Sequence, residues 1–490
     1  MDGVPGFEQC PIAPGSSFTY RFQADMYGTS WWHSHYSSQY GSGLLGPMVI
    51  YGPHVGPDYD EDLGPVLLHD LYHEYYSDVL EGLLMPVPHD VIPASDNNLI
   101  NGKNDFDCSR TNLTCTPNAP RAMFNFKSGK TYRIRVVNTA SAAVEKFTID
   151  NHTFTVIAND FVPIEPYETD HLTLAVGQRN DIIVKATGQP GDAVWMRSYK
   201  PPPCWPSRGG DEAKAAIFYE DADQSIQPNS TAGPNAYNQY CGNDPLNQTV
   251  PVFPISAPEA SVTEVLPLEF RRNATGHLLW YMGNRTFQGD YNDPLLLDVK
   301  DGQTDFPTIR NVHDYGDSKS LRFVVENTGN QPHPMHMHGH NMFVLAEGPC
   351  ASNTTVFGNE EGSSQAENSS VHWPFPPYPV PSKKAKRAEG PWGNCWDGSI
   401  TRASNPQRRD VHNLLAGHYL VVQWNQDNPG TWPFHCHTAW HLSAGFVWSI
   451  LERPDDVRRE MQIPQTMSQT CNYWQAWSKS HVVDQIDDGI

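Results

Sequence analysis

Short runs in which apolar and polar residues alternate recur along the whole chain. Ser17-Phe18-Thr19-Tyr20-Arg21-Phe22, Thr131-Tyr132-Arg133-Ile134-Arg135-Val136-Val137 and Leu321-Arg322-Phe323-Val324-Val325 place alternate side chains on one face, the period of a half-buried β-strand. Further strands are expected at residues 154–157, 181–185 and 419–424. All are short, rich in Val, Ile and Tyr, and bounded by Gly, Pro, Asn and Asp. The pattern predicts an all-β chain of antiparallel sandwiches or barrels rather than βαβ units.

Punctuation between the runs suggests an organisation. The polar, Asn/Gln/Pro-rich stretch 221–251 reads as a linker, and another boundary is expected near residues 52–64. The expected units are residues 1–55, 60–220 and 252–490, with 221–251 between the last two. Residues 351–395 read as a long surface loop pinned by Cys350 and Cys395. That loop holds a Pro/aromatic run and the basic run Lys383-Lys384-Ala385-Lys386-Arg387, read as a solvated face.

Composition narrows the class. Lys plus Arg is 33 against 55 Asp plus Glu, a formal charge of −22, which disfavours nucleic acid and anionic membranes as partners. No run of about 18 apolar residues exists to cross a membrane as a helix. Eight Asn-x-Ser/Thr sequons, at Asn112, Asn151, Asn229, Asn247, Asn273, Asn284, Asn353 and Asn368, fit a secreted glycoprotein. The start, Met1-Asp2-Gly3-Val4-Pro5-Gly6, has neither the basic stretch nor the apolar core of a signal peptide. Nine cysteines allow four bridges and leave one thiol over, which needs another role.

Histidine supplies that role. Three His-x-His pairs occur: His33-Ser34-His35, His336-Met337-His338 and His435-Cys436-His437. On a strand, residues i and i+2 share a face, so each pair offers two imidazoles side by side. Cys436 points the other way and becomes the natural thiolate for a second metal, with His333 and His441 as partners. Two imidazoles and one thiolate in a trigonal site are the signature of a blue copper centre. His69 and His73 stand at i, i+4, but Asp70 follows His69 where a zinc protease has Glu, so they read as structural.

The motifs Trp32-His33-Ser34-His35, His333-Pro334-Met335-His336-Met337-His338-Gly339-His340 and Asn428-Pro429-Gly430-Thr431-Trp432-Pro433-Phe434-His435-Cys436-His437 resemble those of the multicopper oxidases, most of all ascomycete laccases. The resemblance covers nearly the whole chain and implies tandem cupredoxin-like (plastocyanin-like) Greek-key β-sandwich domains. It implies type 1 copper on His333, Cys436 and His441, type 2 copper on His336, and the binuclear type 3 pair on His33, His35, His338, His435 and His437. His340 matches no ligand position. The axial position of type 1 copper falls on Phe446, ten residues after the cysteine. Phe cannot coordinate, so a three-coordinate, high-potential site is expected.

Softer implications follow from the same resemblance. Cys10 and Cys471 match cysteines that pair, whereas Cys108–Cys115, Cys204–Cys241 and Cys350–Cys395 are only the simplest of the remaining arrangements. Glu145 falls near an acidic residue that accepts a phenol's proton, and it is equally well an ordinary glutamate. The tail Asp487-Asp488-Gly489-Ile490 resembles a terminal plug, with a frayed acidic end as the alternative. A fourth copper motif, His-Trp-His-Gly, is expected upstream of Asp2. With it absent from the 490 residues, the first domain is expected to be incomplete.

The implied function is laccase-type oxidation of a phenolic or aromatic donor, one electron at a time, coupled to four-electron reduction of O2 to water, by a secreted monomer. Electrons would enter at His441 and pass through Cys436 to His435 and His437. The alternatives are a phenol-coupling oxidase of secondary metabolism, a ferroxidase or ascorbate oxidase relative, and a copper-binding chain defective as an oxidase.

Overall fold

The computed structural model describes residues 2–88, 92–350, 393, 395–481, 483 and 485–489. Residues 351–392, which carry the basic run and the Asn353 and Asn368 sequons, lie outside the described residues.

Two sandwiches share one plan, a six-stranded sheet packed on a five-stranded one. In the first, the larger sheet runs in the order Asn97–Ile100, Glu61–Leu71, Thr131–Asn138, Arg179–Lys185, Phe154–Asn159 and Val162–Thr169. Its partner runs Leu172–Leu174, Glu145–Ile149, Ala193–Tyr199, Glu212–Tyr219 and Met123–Phe126. In the second, the larger sheet is Leu278–Met282, Val262–Arg272, Ser320–Asn327, His418–Asn425, Met342–Pro349 and Gln407–Arg409. The smaller one is Val312–Asp314, Val447–Glu452, Gly430–Cys436, His333–Met337 and Val411–Leu414. A separate two-stranded sheet, Gly28–His33 with Leu45–Ile50, precedes both.

The alternation explains the cores. Tyr132, Ile134 and Val136 point inward from one strand and meet Phe147, Met196 and Ile217 from the facing sheet. Each such fully buried side chain stabilises the sandwich by about 1.5–3 kcal/mol. Of the intervening arginines, Arg135 does not face water, because the N-terminal hairpin covers that side. Arg135, only 2% exposed, donates to Asp62, Asp181 and Thr29. Arg179 donates from Nε to the Thr29 carbonyl. The polar face of the sheet is therefore an interface.

Two expectations are corrected. Each of the four large sheets contains one parallel pair, for example Glu61–Leu71 beside Thr131–Asn138 and Val262–Arg272 beside Ser320–Asn327. Greek-key crossings bring non-consecutive strands together, which a purely antiparallel reading omits. The run at residues 17–22 forms no strand, and Phe22 is exposed. Among the described residues no neighbouring strand satisfies its backbone groups, and alternation without a hydrogen-bonding partner makes no sheet. None of the helices was foreseen, the longest being Tyr76–Leu84 and Gln465–Ser478, although Val79, Leu80, Leu83 and Leu84 have helical spacing.

Four disulfides form, Cys10–Cys471, Cys108–Cys115, Cys204–Cys241 and Cys350–Cys395, and Cys436 alone is free. Cys10–Cys471 spans 461 residues and ties the helix Gln465–Ser478 to the N-terminal segment. Closing so long a loop removes much of the unfolded chain's freedom. Replacing both cysteines by serine is expected to lower stability by about 2–5 kcal/mol in denaturant titrations. An unchanged midpoint would show that the crosslink contributes nothing.

Candidate metal centre

The strand Gly430–Cys436 ends in the densest motif, and its neighbour His333–Met337 pairs with it in register, His336 opposite His435 and Met335 opposite Cys436. The helical turn Ala439–Leu442 then folds His441 back over the thiol. As a result His333 Nδ1 and His441 Nδ1 each stand 3.7 Å from Cys436 Sγ and 3.2 Å from one another. A triangle with those edges has its centre about 2 Å from each corner, the length of a metal–nitrogen or metal–thiolate bond. Phe446 is fully buried beside the triangle, its ring 5.0 Å from that of His333.

A second cluster lies on the other side of the same strand end. His338 Nε2 and His435 Nε2 are 2.9 Å apart, and His35 joins them in a group of donors that could hold a metal. The ring of His336 lies 4.6 Å from His338 and 5.4 Å from His437, and His33 lies 5.3 Å from His437. Both His35 and His338 fall just outside their strands, so the two-residue repeat is completed by the turn that follows each strand.

The electrostatics suit a soft or borderline cation. Burial lowers His33 to about 4 and His333 to about 3, and pushes His35, His336, His435, His437 and His441 well below the usual imidazole range. These rings are neutral and offer lone pairs. Burial also pushes the Cys436 thiol up to about 12, so only a metal in the triangle would make it a thiolate. Both ring nitrogens of His35 and Nδ1 of His437 are buried without a hydrogen-bond partner among the described residues. An unsatisfied buried polar atom costs about 1–3 kcal/mol, and metal coordination at one ring nitrogen removes that cost there. The residues fit copper.

Several supports could not be read from the motifs. The His336 ring nitrogen Nδ1 hydrogen-bonds the Asp410 carbonyl at 2.8 Å, and the Asp410 carboxylate is clamped by Arg179 of the first sandwich. Asp160 accepts from Arg409 in turn. Burial alone would raise the Asp160 carboxyl, but Arg179 and Arg409 outweigh it and hold it well below the usual range. Asp2 forms an ion pair with His338 Nδ1. Gly177 has φ of +83°, and a Cβ there would lie 2.8 Å from His437 Cδ2, so only glycine lets the first sandwich approach this close. The tail is docked rather than frayed: Asp487 accepts from Ser37, and Asp488 N–H donates to the Ser443 carbonyl at 3.1 Å.

Other predicted residues fall elsewhere. His69 bonds the Thr139 carbonyl, His73 pairs with Asp96, and His340 pairs with Glu452 at 3.1 Å. The cleft over His441 is lined by Leu83, Trp205, Phe270, Trp280, Gln331, Trp440 and Ala444. Glu145 is not among them, which corrects its expected place beside the donor. It is fully buried in the first sandwich and accepts from Asn98 Nδ2 at 2.8 Å and Ser198 Oγ at 2.6 Å.

Burial pushes the Glu145 carboxyl from its ordinary 4.5 up to about 8, against the opposing pull of Ser198, Lys200 and Asn98. Between those values the folded chain keeps a proton that the unfolded chain has released. Its contribution is full below pH 4.5 and is lost as pH rises through about 8. Glu145→Gln is expected to flatten that slope, which reaches at most about 1.4 kcal/mol per pH unit. Denaturant titrations across the pH series test this, and an identical slope in both chains refutes it.

Comparison with known proteins agrees with this geometry. Multicopper oxidase family models match residues 1–54, 62–213 and 281–456. The chain is 35% identical over 503 residues to oxidoreductase OpS5 of Beauveria bassiana, covering 100% of this chain and 76% of the relative. It is 33% identical over 497 residues to laccase-2 of Botryotinia fuckeliana, with the same coverage. The crystal structure of the Botrytis aclada laccase superposes with a TM-score of 0.80 at 33% identity, covering 100% of this chain and 82% of that one. Fet3p, a multicopper oxidase that functions in iron import, shares the fold, with a TM-score of 0.77 at 22% identity over 100% of this chain and 85% of its own. Likeness of this order along the full length means that the sandwiches are cupredoxin-like, that the metal is copper, and that the chain belongs to the multicopper oxidase family.

Proposed function

We propose that this chain is a laccase-like oxidase that couples one-electron oxidation of phenolic or aromatic-amine donors to four-electron reduction of O2 to water. The convergence of His333, Cys436 and His441 on one buried point carries the reading, because those donors match a blue copper site and little else. In this reading they hold type 1 copper, His336 binds type 2 copper, and His33, His35, His338, His435 and His437 hold the type 3 pair. Copper bound there supplies one-electron redox chemistry on one side and O2 reduction on the other.

The chain's own residues do the rest. Cys436 is covalently flanked by His435 and His437, so a single strand end connects both clusters by a few bonds. His441 forms the floor of the donor cleft, and the aromatic walls favour a planar, uncharged ring. Trp205 and Trp440 spend their N–H groups on the Pro93 carbonyl and Tyr72. Gln331 is left as the side-chain amide that orients a donor hydroxyl or amine. Phe446 is fully buried beside His333, Cys436 and His441 and offers no ligand atom, so copper held by those three residues would have an apolar neighbour there, which would favour a high potential. Four disulfides suit a secreted glycoprotein, and among the described residues no helix is long and apolar enough to cross a membrane.

The chain loaded with copper is expected to show an intense visible thiolate–copper band and, with the His-Trp-His-Gly motif supplied ahead of Asp2, to consume O2 with a phenolic donor. Cys436→Ser should abolish both. His338→Ala should keep the band and lose O2 consumption. A band without O2 uptake in the chain so extended would identify a copper-binding protein that is not an oxidase, and no band at all would refute the assignment.

A further inference from the structure

Metal-binding histidines are usually held by a hydrogen bond from the ring nitrogen that faces away from the metal. His336 follows that rule through Asp410, and His435 through the Cys436 carbonyl at 2.9 Å. His333 does not. Its Nδ1 faces Cys436 and His441, and its Nε2 is buried with no hydrogen-bond partner among the described residues. Something other than a hydrogen bond must set the angle of this ring.

Trp280 occupies that place. Its ring meets the His333 ring in a T-shaped contact at 4.7 Å and an interplanar angle of 77°. It lies 4.7 Å from the His441 ring and stacks on Phe446 at 5.0 Å and 19°. On its outer side it stacks on Phe270 at 4.7 Å. The indole therefore touches both imidazoles of the triangle and the ring at its axial side, and it also lines the donor cleft. Its own position is fixed from the backbone, because Trp280 N–H donates to the Ala444 carbonyl at 2.9 Å, just past the helical turn that carries His441.

We infer that Trp280 is the positioning residue of this centre: its indole sets the angles of the His333 and His441 rings and seals the axial side behind Phe446, in place of the missing hydrogen bond. Aromatic contacts of these geometries add to burial, and several converging on one pair of rings favour a single ring orientation. A ring so placed offers the metal a rigid trigonal set, whereas loosened rings would let a bound Cu(II) relax toward the tetragonal geometry it prefers.

This inference rests on the copper assignment proposed above, and the test separates the two. The full chain is loaded with Cu(II) as it stands and as Trp280→Ala, Trp280→Leu and Trp280→Phe. The intensity of the visible thiolate–copper band and the copper hyperfine splitting are then recorded. The alanine and leucine variants are expected to lose most of the band and to widen the splitting, with phenylalanine between them and the unsubstituted chain. Leucine keeps apolar bulk without a ring face, so it carries the test if the alanine variant does not fold. Trp195, another tryptophan at 7% exposure but in the other sandwich, is the control, and Trp195→Leu should lower stability and leave the spectrum unchanged. A wild-type spectrum in the alanine or leucine variant, or the same loss in Trp195→Leu, overturns the positioning role alone. Absence of the band from the unsubstituted chain overturns the copper assignment and this inference with it.

Discussion

Uncharged nitrogen and sulfur donors are gathered at one strand end, most of them buried, and the surrounding structure follows from that requirement. A buried imidazole or thiol that lacks a partner destabilises the fold, so the protein must hold the donors rigidly or let them collapse onto other groups. Here the paired strands His333–Met337 and Gly430–Cys436 hold four of them, His333, His336, His435 and Cys436, with cross-strand register placing His336 opposite His435. The desolvation that makes the imidazoles neutral also keeps the Cys436 thiol protonated until a cation displaces the proton. Folding energy is thereby committed in advance to metal binding.

Rigidity on that scale needs both sandwiches. Arg179 reaches from the first sandwich to Asp410 of the second, and the Asp410 carbonyl holds His336. Ala439 N–H donates to the Ser141 carbonyl, and three consecutive N–H groups of that loop, from Ser141, Ala142 and Ala143, donate to the buried Asp70 carboxylate. The turn bearing His441 is therefore anchored to the first sandwich by backbone hydrogen bonds. Gly177 lets the same surface approach His437. The two clusters lie in the second sandwich and its seams, so small shifts between sandwiches would change ligand geometry directly.

The reading of Glu145 shows where sequence reasoning stops. Its position after residues 131–138 suggested a place beside the donor, but it lies on the strand Glu145–Ile149, whose side chains are buried on both faces. A register difference of a few residues in the preceding loop separates a cleft residue from a core residue, and no local signal reports it. The run at residues 17–22 failed for a related reason, since alternation describes one strand and a sheet requires two. The helix Tyr76–Leu84 was legible in its apolar spacing but was outweighed by the β-rich surroundings.

Local chemistry determined the all-β class, the three His-x-His pairs and the isolated thiol, because each depends on residue type and short spacing alone. Tertiary structure decided which imidazoles converge, that His340 pairs with Glu452, that the cleft over His441 is walled by Trp205, Trp280 and Trp440, and that Arg135 and Arg179 serve an interface. These outcomes depend on atoms brought together from positions hundreds of residues apart, whose distances are set by sheet register and packing. Spacing along the chain names the donors, but the packed sandwiches place them.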